Sequence, residues 1–194
     1  MSVKLSKGQR VSLDKGLQQV LIGLGWDTNA YDGSADFDLD ASAFMLGATG
    51  RVRCDEDFIF YGNLQSADGS VKHTGDNRTG DGDGDDEVIT INLSKVPNDI
   101  QKIAITVTIY DARVRGQNFG QVSNAYVRVA RMANENDFTG TEELRYDLAE
   151  DFSIETGLVV CELYRYNGSW KFNAVGAGYC GGLETFCKSY GVDV

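Results

Sequence analysis

The sequence predicts an all-β protein: a single two-sheet β-sandwich over residues 1–194, with short helices, one of them near the C-terminus. Three observations carry this expectation. Apolar residues recur with a period of two along most of the chain, the segments that show it are rich in β-branched and aromatic residues, and Gly, Asn or Asp bound them. Short strands separated by frequent turns favour a sandwich over a parallel α/β sheet. A chain of 194 residues is also an ordinary length for one all-β domain.

Taken in order, strands are expected at residues 20–24 (VLIGL), 37–46 (FDLDASAFML), 58–61 (FIFY), 88–93 (VITINL), 103–110 (IAITVTIY), 125–132 (AYVRVARM), 158–166 (LVVCELYRY) and 170–176 (WKFNAVG), with a shorter one at 144–148. Between the last two, Asn167-Gly168 reads as a hairpin turn, because both residue types accept the positive φ that such a turn needs. Residues 94–100 (SKVPNDI) hold the sole proline and suit one short turn. Residues 182–190 (GLETFCKSY) place Leu183, Phe186, Cys187 and Tyr190 at helical spacing, with Gly191 as the stop. No linker, low-complexity tract or internal repeat divides the chain.

Composition narrows the function. An apolar fraction of 42%, with nine Tyr, nine Phe and two Trp, is enough for a sizeable core. The net charge of −11 argues against a nucleic-acid partner, which would need a basic patch, and it suits a protein that attracts cations. The opening MSVKLSKGQRVSL has no apolar leader and no run approaches a membrane span, so the expected location is the cytoplasm. Cys54, Cys161, Cys180 and Cys187 form no C-x-x-C pair, and His73 is the sole histidine, so a zinc site of the usual spacing is not expected. In a reducing compartment such cysteines read as small buried hydrophobes; thiol chemistry at Cys180 or Cys187 is the alternative.

Acidic residues make the most pointed signal. Residues 75–88 read GDNRTGDGDGDDEV, in which Asp76, Asp81, Asp83, Asp85, Asp86 and Glu87 stand against a single cation, Arg78. Upstream, Asp36, Asp38 and Asp40 alternate with Phe37, Leu39 and Ala41. In a strand, residues i and i+2 share a face about 6.6 Å apart, so Phe37 and Leu39 can enter the core while the carboxylates line the other side. A solvated outer face is tolerable, since like charges at that spacing repel by only about 0.6 kcal/mol per pair in water. The two clusters together point instead to a hard cation such as Ca²⁺, which takes six to eight oxygens; the loop adds glycines that let the chain wrap. The loop is not an EF-hand. Counting from Asp81, Asp86 stands where Gly is required and Asn92 where Glu is required, and a strand follows instead of a helix.

The chain resembles the TerD family of tellurium-resistance and stress proteins nearly end to end. The likeness is carried by Gly25-Trp26-Asp27, Phe37 to Ala43 (FDLDASA), Asp57 to Tyr61 (DFIFY), His73 to Gly80 (HTGDNRTG), Gly84 to Glu87 (GDDE) and Phe119 to Ala125 (FGQVSNA). It continues in Tyr164-Arg165, Trp170-Lys171-Phe172 and Tyr190-Gly191-Val192. The resemblance implies a calcium-binding β-sandwich in the cytoplasm, acting in resistance to tellurite and other stresses without catalysis. Carried over by position, the family's acidic motifs fall on Asp38, Asp40, Asp76, Asn77, Gly80, Asp83, Asp85, Asp86 and Glu87. Asp27, Asp36 and Asp81 are expected behind these, supporting the ligands. Alternating side chains along Asp85-Asp86-Glu87 cannot all face one ion.

The leading expectation is therefore a module in which Ca²⁺ orders the acidic loop against the Asp-rich strand. The acids exceed what one calcium can use, so two ions are expected. Expected partners are other tellurium-resistance and stress proteins, membrane-associated ones included, with the chain itself monomeric. Two rivals stand beside this. A metal-dependent hydrolase would use the acidic cluster, with His73 as its sharpest candidate, but no nucleophile–base pair or G-x-S-x-G elbow accompanies it. Thiol-dependent handling of tellurite would need an exposed cysteine of depressed pKa. Trp26 and Trp170 are expected to pack, Trp26 also buttressing the metal site, and Arg113, Arg115 and Arg165 to sit in ordinary surface ion pairs.

Overall fold

The period-two pattern resolves into twelve strands in a computed structural model that describes residues 3–4, 6–13, 16–27, 36–80, 84–148 and 154–193. In chain order these are β1 (Val3–Lys4), β2 (Arg10–Ser12), β3 (Gln19–Gly25), β4 (Leu39–Leu46), β5 (Phe58–Ile59), β6 (Val71–His73), β7 (Glu87–Asn92) and β8 (Lys102–Ile109). A short helix α1 (Ala112–Arg115) follows, then β9 (Tyr126–Arg131), β10 (Thr141–Asp147), β11 (Gly157–Tyr166), β12 (Ser169–Tyr179) and α2 (Gly182–Tyr190). One sheet runs β1-β10-β9-β3-β7-β6 and the other β2-β12-β11-β8-β4-β5. Every pairing is antiparallel except β1 with β10. The all-β sandwich is as expected.

The two inner faces make the core. Val20, Ile22 and Leu24 of β3 and Ile89 and Ile91 of β7 meet Leu39, Ala41, Ala43 and Met45 of β4 and the odd-numbered residues of β8. The even-numbered residues of β4 face the other way, where Phe44 and Leu46 lie beneath Phe186 and Cys187 of α2. That second apolar layer is the reason α2 forms where the 3.6-residue spacing placed it. Gly191 ends the helix in the left-handed region, with φ 82°, and the Val192 amide closes back on the Cys187 carbonyl. Asn167 and Gly168 take φ 49° and 75° between β11 and β12, as the hairpin requires.

Some boundaries differ from expectation. β4 begins at Leu39, not Phe37, and β5 covers only Phe58–Ile59 of the four residues expected. Residues 94–100 turn twice without forming a helix, the Ile100 amide bonding the Pro97 carbonyl at 3.1 Å. β1, β2, β6 and α1 carry too few residues for any period to show in sequence. The short β5 matters for the site: it pairs β4 only at Ala43 and Phe44, so the first half of β4 has β8 on one side and no strand on the other.

Candidate metal centre

Asp38, just before β4, and Asp40, within it, flank Leu39 and project to the face opposite it. The Asp38 carbonyl accepts the Tyr110 amide at 2.8 Å, and Asp40 sits opposite Thr108 of β8. Their faces follow from the alternation, but they are not solvated: Asp38 is 4% and Asp40 5% exposed. Asp76, in the turn after β6, comes down beside them, and one carboxylate oxygen from each of the three lies within 4.8 Å of the others. Among the described residues this is the group with metal-ligand spacing. Asp36 stays exposed and contributes only its carbonyl, to Arg115 and Gln117 at 3.3 Å each.

The three consecutive acids of the loop diverge, as alternation demands. Asp85 turns onto the outer face of the first sheet, where its carboxylate is gripped by Arg128 (Nε to Oδ1 2.7 Å and to Oδ2 2.9 Å) and approached by the Tyr126 hydroxyl at 3.2 Å. It lies directly on Gly23, which pairs with Arg128, and the Tyr126 ring lies on Gly25; a Cβ at either glycine would collide. Asp86 accepts the Trp26 amide at 2.9 Å and the Asn77 side-chain amide at 3.0 Å. Glu87 alone points inward, where its Oε2 accepts the Ala41 amide at 2.7 Å. That amide faces the side of β4 that β5 leaves uncovered, so a carboxylate from the opposite sheet takes the place of a strand partner.

Asn77 folds the loop rather than joining the cluster of Asp38, Asp40 and Asp76. Its Oδ1 accepts the amides of Thr79 and Gly80, both at 3.2 Å, a side-chain turn of the kind Asn favours. Gly80, at φ 73°, then packs flat against the Trp26 indole, where no side chain fits. Trp26 is buried and its Nε1 donates to the Phe37 carbonyl at 3.0 Å, so it ties the acidic loop to the segment that leads into β4. Asp27 is exposed and is held by the Asn124 side chain at 2.6 Å. His73 is buried in β6. Its Nδ1 accepts the Gly75 amide, which leaves Nε2 to carry the proton, 3.5 Å from Glu87 Oε2 and outside hydrogen-bond geometry.

Of the expected ligands, then, Asp38, Asp40 and Asp76 converge. Asp85, Asp86, Asn77 and Gly80 serve other contacts, and Glu87 stands behind the cluster. Asp81 and Asp83 lie outside the described residues. Arg115 is the residue that sequence reading undervalued: its guanidinium is 3.5 Å from Asp38 Oδ2, with Arg78 at 3.9 Å. Nothing in a four-residue helix after β8 signals that pairing. The cysteines also divide against expectation, Cys161 and Cys187 buried but Cys54 and Cys180 exposed.

The electrostatics are lopsided. Asp38 has two arginines, whereas Asp40 has no hydrogen-bond or ion-pair partner among the described residues. Burial, with Glu87, Asp38 and Asp76 nearby, pushes the Asp40 carboxyl up to about 8. Burial also raises Asp38 and Glu87 above the usual carboxylate range. A buried unpaired carboxylate is costly, and a cation relieves that cost. The donor set fits a hard divalent ion: carboxylates only, with oxygens no farther apart than twice a calcium–oxygen distance of about 2.4 Å.

Comparison with known proteins agrees with this architecture. The TerD domain family matches residues 1–190. Tellurium resistance protein TerD from an Alcaligenes species is 59% identical over 196 residues, covering 100% of this chain and 99% of the relative. General stress protein 16U of Bacillus subtilis is 55% identical over 197 residues, with both chains fully covered. The crystal structure of a homologue of the TerD protein from Streptomyces coelicolor superposes with a TM-score of 0.71 at 26% identity, over 88% of this chain and 95% of that one. With the family matched across nearly the whole length and the sandwich shared, this chain belongs to the TerD family.

Proposed function

We propose that this chain is a non-catalytic, calcium-binding protein of the tellurium-resistance and general stress response, in which Ca²⁺ orders the acidic loop against β4. The relatives' names support the first part. Asp40, buried beside Asp38 and Asp76 and with no hydrogen-bond or ion-pair partner among the described residues, is the observation that carries the second. Asp38, Asp40 and Asp76 hold the ion, and Glu87 and Trp26 fix the strand and the loop around it. Bound calcium stabilises the fold by RT ln(1 + [L]/Kd), about 2.7 kcal/mol at a hundredfold excess over Kd.

Calorimetric titration of chelator-stripped protein with Ca²⁺, and with Mg²⁺ as control, tests this. Saturable heat selective for Ca²⁺ and lost in Asp40→Asn is the expected result. Two equivalents would place a second ion on the remaining acids, Asp81 and Asp83 among them. No heat and no change in melting temperature would reduce the cluster to a structural acid patch.

A second reading has one observation in its favour, the exposure of Cys54 and Cys180. Against it, burial and the neighbouring Glu56 push the Cys54 thiol up, away from the reactive thiolate. Tellurite tolerance that survives replacement of both by serine would dismiss thiol chemistry.

A further inference from the structure

A cleft of about 660 Å³ opens beside Asp40, within the size range of small-molecule sites. Its floor is the outer face of the second sheet, where Asp40 of β4 pairs with Thr108 of β8 and Thr108 in turn with Gly157 of β11, and Thr156 just before β11 lines its edge. Three adjacent strands make that floor about 10 Å wide. Asp40 is thus shared: a nine-tenths-buried, unpartnered carboxylate that belongs to the acid cluster and also lines the cleft.

The walls differ in character. On one side Tyr61 and Tyr110, each more than a third exposed, meet edge to face at 6.5 Å between ring centroids. Val114, 84% exposed, extends that apolar side. On the other side is the start of α2. Gly181 supplies the cap position with no side chain to bond the first amides of the helix, and Gly182 and Leu183 line the opening. Arg113 lines the same space. Two more acids are present, but Glu184 is engaged by Lys188, leaving Asp111.

Cation binding at the acid cluster adds positive charge beside this cleft. It engages Asp40 and competes with Arg115 for Asp38. Arg115 also lies over the Tyr110 ring, 5.3 Å from its centroid, and stays at the cleft rim through that contact. Calcium, two guanidinium groups and a helix N-terminus then surround an aromatic-walled space, a combination suited to a phosphate group carried on a flat apolar body. We propose that the cleft between α1, α2 and Asp40 binds a small organic phosphate in the calcium-loaded protein, its body along Tyr61 and Tyr110. This rests on the calcium reading above.

The probe is phenyl phosphate, titrated into the full-length, ¹⁵N-labelled protein with saturating Ca²⁺ and again in chelator, while calorimetry records calcium binding separately. Saturable amide shifts at Gly181, Gly182 and Leu183, with affinity at least tenfold weaker in chelator, are expected. Inorganic phosphate should bind more weakly than phenyl phosphate. Arg113→Glu, on an exposed side chain away from the acid cluster, should weaken phenyl phosphate about tenfold and leave the calcium titration unchanged. If calcium binds and those amides do not move, the cleft proposal fails and the calcium reading stands. Equal binding with and without calcium overturns the dependence on the metal, and absence of calcium binding overturns both readings.

Discussion

Replacing Gly23 by alanine should destabilise the protein through a residue sixty-two positions away. In β3, Gly23 supports the Asp85 carboxylate, whose side chain is only 3% exposed in its pair with Arg128. A methyl group there must displace the carboxylate and open the pair. Breaking a buried ion pair costs about 3–5 kcal/mol. Arg128 is itself 15% exposed and keeps its bond to the Thr139 carbonyl, which favours the lower end, about 3 kcal/mol. Removing a glycine from a strand returns about 0.5–1 kcal/mol. The net loss is then about 2–3 kcal/mol, which for a chain of this size lowers Tm by roughly 5–10 °C. Urea unfolding of Gly23→Ala, Asp85→Ala and the double variant measures it. In the Asp85→Ala background there is no carboxylate to displace, so Gly23→Ala should be neutral or slightly stabilising, a coupling of about 3 kcal/mol. An equal loss in both backgrounds would refute the argument, because the methyl would then be colliding with something other than Asp85.

Other consequences can be checked as directly. With Asp40 pushed up to about 8, calcium binding at pH 7 should release about 0.9 proton from that group, read from calorimetry in buffers of different ionisation enthalpy. The same shift sets a pH trend for the calcium-free protein. The folded state holds the Asp40 proton more tightly than the unfolded chain, so this contribution to stability is complete below about pH 4 and is lost as pH rises through about 8; urea midpoints should fall across that window and flatten in Asp40→Asn. Gly168→Ala puts a side chain at φ 75° and should cost about 1–2 kcal/mol, with no effect on calcium binding. A thiol reagent should label Cys54 and Cys180 in the native protein and reach Cys161 and Cys187 only after unfolding.

Much of the fold was legible because long strands print their period in the sequence. VLIGL and IAITVTIY could be nothing else, and the α2 spacing of Leu183, Phe186, Cys187 and Tyr190 gave the helix to the residue. The candidate site was legible only in part. Alternation correctly put Asp38 and Asp40 on the face away from Leu39, but it could not say that this face would be buried. Nor could it tell the carboxylates apart: Asp85 and Asp40 are equally acidic in sequence, yet one is gripped by Arg128 and the other has no ion-pair partner among the described residues. Those assignments depend on partners distant along the chain, Arg128 for Asp85, Ala41 for Glu87 and Arg115 for Asp38. Local pattern carries no information about such pairings.

Asp85, Asp86 and Glu87 fasten one short stretch of chain to three bodies: a side chain on the outer sheet face, the amide that follows β3, and the bare edge of β4 in the opposite sheet. Such a stretch has no slack. One residue inserted or deleted between Gly84 and Glu87 would hand each carboxylate its neighbour's place, sending an acid into the core and another away from its arginine. Length changes in this protein should therefore be absorbed elsewhere in its turns and rejected there, so that the GDDE segment behaves as a ruler for the gap between the two sheets.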